Sequence, residues 1–431
     1  MFIQQILDQS FRWRASVRFS LAVLGIFACC WLLVGAAKSG LSRFFSAYGV
    51  RAELVAPVEM AEVLKPDDPE IHRARALLYE EAGDHIAAAR KLERAIALRP
   101  RDPFLWVELG LARDQAGEIE QAIIAFQKAT QLAPYYAQSR WQLGNLLLRA
   151  GRYDEAFAEI RGAVASNPTL FPNAIDLAYG IYGGDAVAVE SAIRPGTHAA
   201  KLALARTYAR RGNAEDTLRV TLSLERLSGE QRQTLVTDLL EARQFSAAFE
   251  IWVNGLDGNR KDSVGGRESI VDGGFEAELR AGQLPSFGWR IERELKGVKV
   301  FLGKRESRSG NRHLILDWSG DPAVWTPAMS QLILVAPGKS YRLSFWARAE
   351  DLVTAGAPIV TINDAAKNEL PLAQSTPLTQ ADGQWRQYFV QFETGANTQA
   401  VQLAVRREFC AVTPCPVFGQ LWLDDFVLSN R

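Results

Sequence analysis

The sequence predicts a multidomain chain of α plus β structure: an N-terminal transmembrane helix, an α-solenoid of stacked helix pairs and a C-terminal antiparallel β-sandwich. Three observations predict it. Pro66, Pro100, Pro134 and Pro168 follow one another at a constant spacing of 34 residues, the mark of a repeated helix pair. An uncharged apolar run, Phe19 to Ala37, lies near the N-terminus. Beyond residue 270 the helical period gives way to alternation of apolar and polar residues.

The apolar run reads FSLAVLGIFACCWLLVGAA. At 1.5 Å rise per residue its 19 residues are about long enough for the hydrocarbon core of a bilayer. Arg12, Arg14 and Arg18 precede it, and Lys38, Arg43 and Arg51 follow. The tight basic cluster before the span, with the amino terminus, favours a cytoplasmic N-terminus. A cleaved signal peptide ending near Gly35-Ala36-Ala37 is the alternative, although the run exceeds the usual apolar region of about 7–15 residues. Both readings place the rest of the chain outside the cytoplasm. Residues 1–50 are thus expected to form a tip, the anchor (19–37) and a short connector.

Between the prolines the residues repeat as well. Ala76, Gly83 and Ala88 correspond to Gly110, Gly117 and Ala122, and again to Gly144, Gly151 and Ala156. Gly110 and Gly144 suit a close crossing of two helices. Gly83, Gly117 and Gly151 suit a left-handed helix end, and the alanines open the buried stripe of the second helix. The proline stops that helix. This pattern resembles the tetratricopeptide repeat, most clearly over residues 69–168, with degenerate pairs continuing to residue 253. About five to six pairs are expected over 51–253. In that repeat a concave groove is lined by the first helix of each pair. The resemblance therefore implies a protein partner held by Arg73, Leu77, Phe104, Val107, Trp141, Asn145 and Arg149.

Residues 254–269, NGLDGNRKDSVGGRES, read as a linker. After it come short alternating segments: His313–Trp318, Tyr341–Ala349, Pro358–Asp364, Trp385–Thr394, Gln399–Val405 and Gln420–Leu428. Turn residues punctuate them, as an antiparallel sandwich requires. The region opens with IVDGGFEAEL (Ile270–Leu279) and Gly288-Trp289, and closes with LWLDDFVL (Leu421–Leu428). These ends resemble the jelly-roll carbohydrate-binding modules of the type 4, 9 and 22 group, with Asp272 in place of their usual asparagine. The resemblance covers residues 270–431. It implies a structural calcium at the positions of Glu276 and Asp425, whose hard oxygens suit that ion; on the bland reading the carboxylates only cap strand ends or meet arginines. No other cofactor is expected.

Sugar recognition needs aromatic faces with polar groups around them. Trp289, Trp318, Trp325, Trp346, Trp385 and Trp422 are available, though a tryptophan in a sandwich is more often core. Alternation along Tyr341–Ala349 puts Arg342, Ser344, Trp346 and Arg348 on one face. Gln402, Ala404 and Arg406 share a face too, and are expected to join the same surface. The expected glycan contacts are Arg342, Trp346, Arg348 and Arg406. Cys410 and Cys415, five residues apart, are expected to pair in a disulfide, which agrees with an oxidising compartment. Cys29 and Cys30 read as small apolar residues of the span.

Net charge is zero, which gives no electrostatic case for nucleic acid. The four histidines, His72, His85, His198 and His313, have no catalytic arrangement around them, and no phosphate loop or nucleophile elbow occurs. No enzyme is expected. The chain reads as an anchored scaffold of a bacterial inner membrane, its bulk on the extracytoplasmic side, serving polysaccharide synthesis, export or attachment. A protein-assembly adaptor whose sandwich binds no sugar is the alternative, and a glycan-processing enzyme a remoter one.

Overall fold

The computed structural model describes residues 2–256, 264–277, 287–292, 295–321, 326–367, 371–379, 382–410 and 414–430, with side chains from residue 19 onward. The side chains of Arg12, Arg14 and Arg18, residues 257–263 of the expected linker, Glu278, Leu279 and Trp325 therefore lie outside the described residues. The chain divides into two compact units, Met1–Arg194 and Pro195–Arg431.

In the first unit, α1 (Phe2–Arg51) is one continuous helix. It is the one described helix long and apolar enough to cross a membrane, and the side chains of its apolar run face outward, packed on nothing. Its last turns do pack. Phe45 and Val50 close over a core of Val58, Ala61, Ile71, Ala74 and Leu78. Val58 and Ala61 belong to α2 (Val55–Leu64), the rest to α3 (Pro69–Glu81). Gly49 permits this approach: a Cβ there would stand 2.5 Å from Val58 Cγ2.

Helix pairs follow: α3 with α4 (His85–Leu98), α5 (Pro103–Gln115) with α6 (Ile119–Leu132), α7 (Ala137–Arg149) with α8 (Tyr153–Ser166), and α9 (Phe171–Ile181) with α10 (Ala186–Ile193). Gly83, Gly117 and Gly151 end the first helices at φ of 76°, 79° and 73°, a region closed to most side chains. At the crossings, a Cβ on Gly110 would lie 2.6 Å from the Phe126 ring, and one on Gly144 2.6 Å from Ile160 Cγ1. The period has a further use that the residue types conceal. His72, Trp106 and Arg140, each 34 residues apart, all hydrogen-bond the carbonyl of the preceding repeat proline, Pro66, Pro100 and Pro134, at 2.9, 3.0 and 2.8 Å. Three unlike side chains thus satisfy one orphan carbonyl at each junction.

The second unit contains α11 (His198–Arg210) with α12 (Ala214–Leu222), and α13 (Gly229–Glu241) with α14 (Phe245–Val253). Phe287 packs at right angles against Phe249 of α14, with ring centroids 5.1 Å apart.

The sandwich is two five-stranded antiparallel sheets. The first has order β1 (Arg290–Ile291), β4 (Met329–Leu334), β9 (Ala400–Arg407), β6 (Pro358–Asp364), β7 (Ala373–Gln374). The second has order β2 (Val298–Gly303), β3 (His313–Gly320), β10 (Val417–Asn430), β5 (Ser340–Thr354), β8 (Arg386–Glu393). Their inner faces meet in one core that includes Leu316, Trp318, Leu343, Phe345, Val360, Leu403 and Leu423.

The opening and closing signatures fasten to each other. Phe426 N of β10 donates to Gly273 O at 2.9 Å. Phe275, Trp289 and Phe426 form a ring triad with centroids 5.1, 5.2 and 5.9 Å apart. Trp289 Nε1 donates to Asp272 O at 2.8 Å. Asp272 in turn accepts from the Glu276 amide through its own carboxylate at 2.8 Å, holding a turn in which Asp272 and Phe275 sit at φ of 52° and 56°. Cys410 and Cys415 are joined by a disulfide, Cα atoms 6.2 Å apart.

Candidate functional site

The β2–β3 connection, Lys304–Arg312, reads KRESRSGNR and carries four cations in nine residues. Too polar to be buried, it folds over the outer face of the second sheet. Backbone N–H groups fix its place: Arg308 and Ser309 donate to Asp424 Oδ2 at 3.0 and 3.3 Å, and Asn311 and Arg312 to Glu276 Oε1 at 2.7 and 3.1 Å. Ser309 Oγ donates to Asp425 Oδ1 at 2.5 Å. Within the loop lies a polar cavity of about 590 Å³, lined by Lys304, Glu306, Ser307, Gly310, Asn311 and Arg312.

Beneath and beside the loop are aromatic rings. The Arg308 guanidinium lies over the Trp346 ring, 4.2 Å from its centroid. Arg348 covers Trp422 at 4.3 Å and pairs with Glu306 at 2.7 Å and with Glu350. Trp385 donates its indole N–H to Glu306 O at 2.9 Å. His313 stacks on Trp422, centroids 4.6 Å apart. Burial, with Arg348 nearby, lowers the His313 pKa, so the imidazole is neutral near pH 7. The faces of Trp346 and Trp422 are thus taken by guanidinium and imidazole groups, and the polar cavity beside them offers hydrogen-bond donors to a ligand.

Arg342, Trp346 and Arg348 do lie on one outer face, with Arg342 over the Phe389 ring at 5.6 Å. Arg406 does not join them. It belongs to β9 in the first sheet, where it faces away from the shared core beside Ile359 of β6. Alternation assigns a residue to one side of its own sheet, but not to one sheet of two. Arg406 is half-buried, and burial lowers its pKa with no carboxylate offsetting it. Its neighbour Thr361 is fully buried on the same face, with Oγ1 lacking a hydrogen-bond partner among the described residues. Trp289 and Trp318 are core.

Glu276 and Asp425 receive N–H and O–H donors from the loop. Glu276 Oε1 and Asp425 Oδ1, the oxygens that take these donors, point their charge at the loop. Among the described residues no three His, Cys, Asp or Glu side chains gather as a metal site. Through these bonds the carboxylates anchor the loop.

Asp424 is buried, and its pKa is pushed up from 3.8 to about 6, chiefly by desolvation, with Asp425 adding repulsion. A carboxyl raised in the folded state stabilises below its unfolded pKa. That contribution is lost as pH rises through about 6. The wild-type sandwich should therefore lose melting temperature between pH 4 and 6 more steeply than Asp424→Asn, in which the titration is gone. Parallel melting curves against pH would show that Asp424 does not titrate in this window.

On the first unit, the expected groove residues separate. Arg73 of α3 pairs with Glu108 of α5 at 2.5 Å, and Arg149 of α7 pairs with Asp114 of α5. These two arginines tie neighbouring repeats together. Val107 is buried with Ile123, Phe126, Leu143 and Leu146, so it belongs to the core and not to an exposed surface. Leu77 and Phe104 are 40% and 54% exposed. Phe104 meets Tyr136 edge-on at 5.4 Å, and Leu111, one period after Leu77, is exposed as well. Trp141 and Asn145 are half-buried, with Asn145 Nδ2 donating to Trp141 O at 3.0 Å. Sequence reasoning missed the whole loop 304–312. Its signal was the density of cations just before the alternating segment His313–Trp318.

Comparison with known proteins agrees with both halves of this description. Residues 268–408 match the family model of a carbohydrate binding domain. Residues 73–137 and 107–171 match that of the tetratricopeptide repeat. No curated protein matches the chain. Among solved structures, CBM4 is similar at 16% identity, covering 38% of this chain and 99% of that one, with a TM-score of 0.28. YrrB, described as a tetratricopeptide-repeat protein with an unusual peptide-binding site, is similar at 15% identity over 49% of this chain and 89% of its own, with a TM-score of 0.28. PilF of Pseudomonas aeruginosa is similar at 13% identity over 51% and 90%, with a TM-score of 0.29. Residues 73–171 thus belong to the tetratricopeptide repeats and residues 268–408 to the carbohydrate-binding domains, behind a long apolar N-terminal helix.

Proposed function

We propose that this chain is a non-catalytic scaffold of the bacterial envelope, held in the inner membrane by α1 with everything after Ala37 on the extracytoplasmic side. The helix pairs hold a protein partner, and the sandwich holds a glycan in polysaccharide synthesis, export or attachment. The observation that carries the glycan reading is the cavity inside Lys304–Arg312, set beside Trp346 and Trp385. Lys304 and Arg312 line it, Arg312 with Asp272 near enough to feel its charge but neither in a salt bridge among the described residues, whereas the acid on its wall, Glu306, is engaged by Arg348. That balance favours an acidic sugar such as a uronic acid. The exposed apolar patch of Leu77, Leu111 and Phe104 suits a peptide with apolar anchors. The disulfide supports an oxidising compartment, and the unbroken helix through Gly35–Ala37 supports a retained anchor.

A second glycan face rests on one observation, the half-buried Arg406 guanidinium on the first sheet, whose Nε has no hydrogen-bond partner among the described residues. Affinity electrophoresis through gels containing neutral or acidic polysaccharides tests the function. Retardation by an acidic polymer is expected. Free migration through every polymer would leave the adaptor role.

A further inference from the structure

We propose that the base of the first helix hairpin of the solenoid rests in the headgroup layer of the bilayer, so that the lipid surface is itself a binding partner of residues 39–42 and 61–65. This rests on α1 being a membrane anchor. The span ends at Ala37 and α1 continues without a break. Ser39 lies about 3 Å beyond that end and Ser42 about 7.5 Å, at 1.5 Å per residue. The headgroup layer is about 5–7.5 Å thick on each side of the hydrocarbon. α2 turns back along α1 and brings its own end to that depth. Lys65 Nζ donates to Ser39 Oγ at 3.0 Å, and Ser42 Oγ donates to Ala61 O at 3.2 Å. Residues 61–65 therefore sit level with 39–42.

The side chains at that level suit lipid. Val63 is 83% exposed and Met60 56%, an unfavourable placement in water for two of the ten residues of a short helix. Just beyond that level, Phe44, Phe45, Tyr48, Ala56, Pro57 and Met60 line an almost wholly apolar cleft of about 320 Å³. Lys38 and Lys65 bring positive charge to the same depth, where lipid phosphates lie. Glu62 is turned to Lys91 at 2.7 Å, Glu59 to Arg75 at 2.8 Å, and Asp68 is buried beside Arg43 and Lys65, which leaves Asp67 near this edge and Glu53 at the far end of the hairpin.

Nitroxide labels on the full chain test this. In a background of Cys29→Ala and Cys30→Ala with the disulfide intact, Val63→Cys and Met60→Cys are labelled and the protein is placed in vesicles of phosphatidylethanolamine and phosphatidylglycerol. Leu24→Cys, within the span, and Val187→Cys, exposed on α10, serve as references. The Val63 and Met60 labels should lose most of their collisions with a water-soluble nickel chelate relative to Val187, while staying open to oxygen like Leu24. Chelate collisions equal to those of Val187, in protein that resists alkaline washing, would overturn the proposal and leave the anchor standing. Labels shielded from both reagents, with spin broadening that grows as protein is added, would put a second copy on this face and overturn it too. Release by the alkaline wash would remove the anchor, and this contact with it.

Discussion

Gly110→Leu is expected to unfold the centre of the solenoid well below the wild-type melting temperature. A Cβ at this position would stand 2.6 Å from the Phe126 ring. That ring is fully buried among Ala122, Ile123, Leu143 and Leu147, so it has no empty space to enter. Overpacking of this kind costs about 1–3 kcal/mol, and for a unit of this size each kcal/mol lowers the melting temperature by about 2–4 °C. Gly180→Leu is the matched control. Gly180 also lies in a helix, but nothing stands within 4 Å of its Cβ position. There the gain in helix propensity, about 1 kcal/mol at most, should leave the protein as stable as before or slightly more so. Equal melting of the two variants, followed by circular dichroism, would contradict the close crossing.

Gly273→Val should be the most damaging change in the sandwich. A side chain here runs into the carbonyl oxygen of Phe426, which is backbone and cannot step aside. The strain breaks the bond from Phe426 N to Gly273 O and opens the triad of Phe275, Trp289 and Phe426. A cost of about 3 kcal/mol or more is expected, in the upper tail of single substitutions. Gly266→Val, where no atom lies within 4 Å, should cost little. Chemical denaturation followed by tryptophan fluorescence measures both. A Gly273→Val midpoint matching wild type would mean that the two end signatures are not fastened as described.

The solenoid was legible because each of its requirements is local and recurs. A glycine that must reach positive φ, a glycine at a crossing and a proline past a helix end repeat at one period, and each has few substitutes. The groove was less legible. Val107 occupies the register of Arg73 and Trp141, but a short apolar side chain is drawn inward against Leu143 and Leu146, while the longer ones stay out. In the sandwich, six segments betrayed themselves by alternation. β4 did not, since MSQLIL is covered on nearly every side and shows no polar phase. The pairing of the two end signatures has a physical basis in Gly273 and Phe426 that sequence pattern alone names without explaining. The lid over Trp346 was invisible for a different reason. Arg308 lies 38 residues upstream, and only the fold of loop 304–312 onto Asp424 brings it there. Arg406 was placed on the wrong sheet because strand order, not alternation, decides that.

The most direct measurement is calorimetric titration of the chain with the acidic polysaccharide that retards it, for wild type, Trp346→Ala, Arg312→Ala and Arg406→Ala. Removing one charged donor from a ligand contact costs about 1.5–3 kcal/mol, roughly ten- to a hundredfold in affinity, and Trp346→Ala takes away the ring that holds the Arg308 guanidinium in place. The predicted result is a loss of that size for Trp346→Ala and Arg312→Ala in protein that melts like wild type, with Arg406→Ala unchanged. Binding lost in Arg406→Ala alone, with the other two at wild-type affinity, would contradict the loop site and move the glycan to the first sheet.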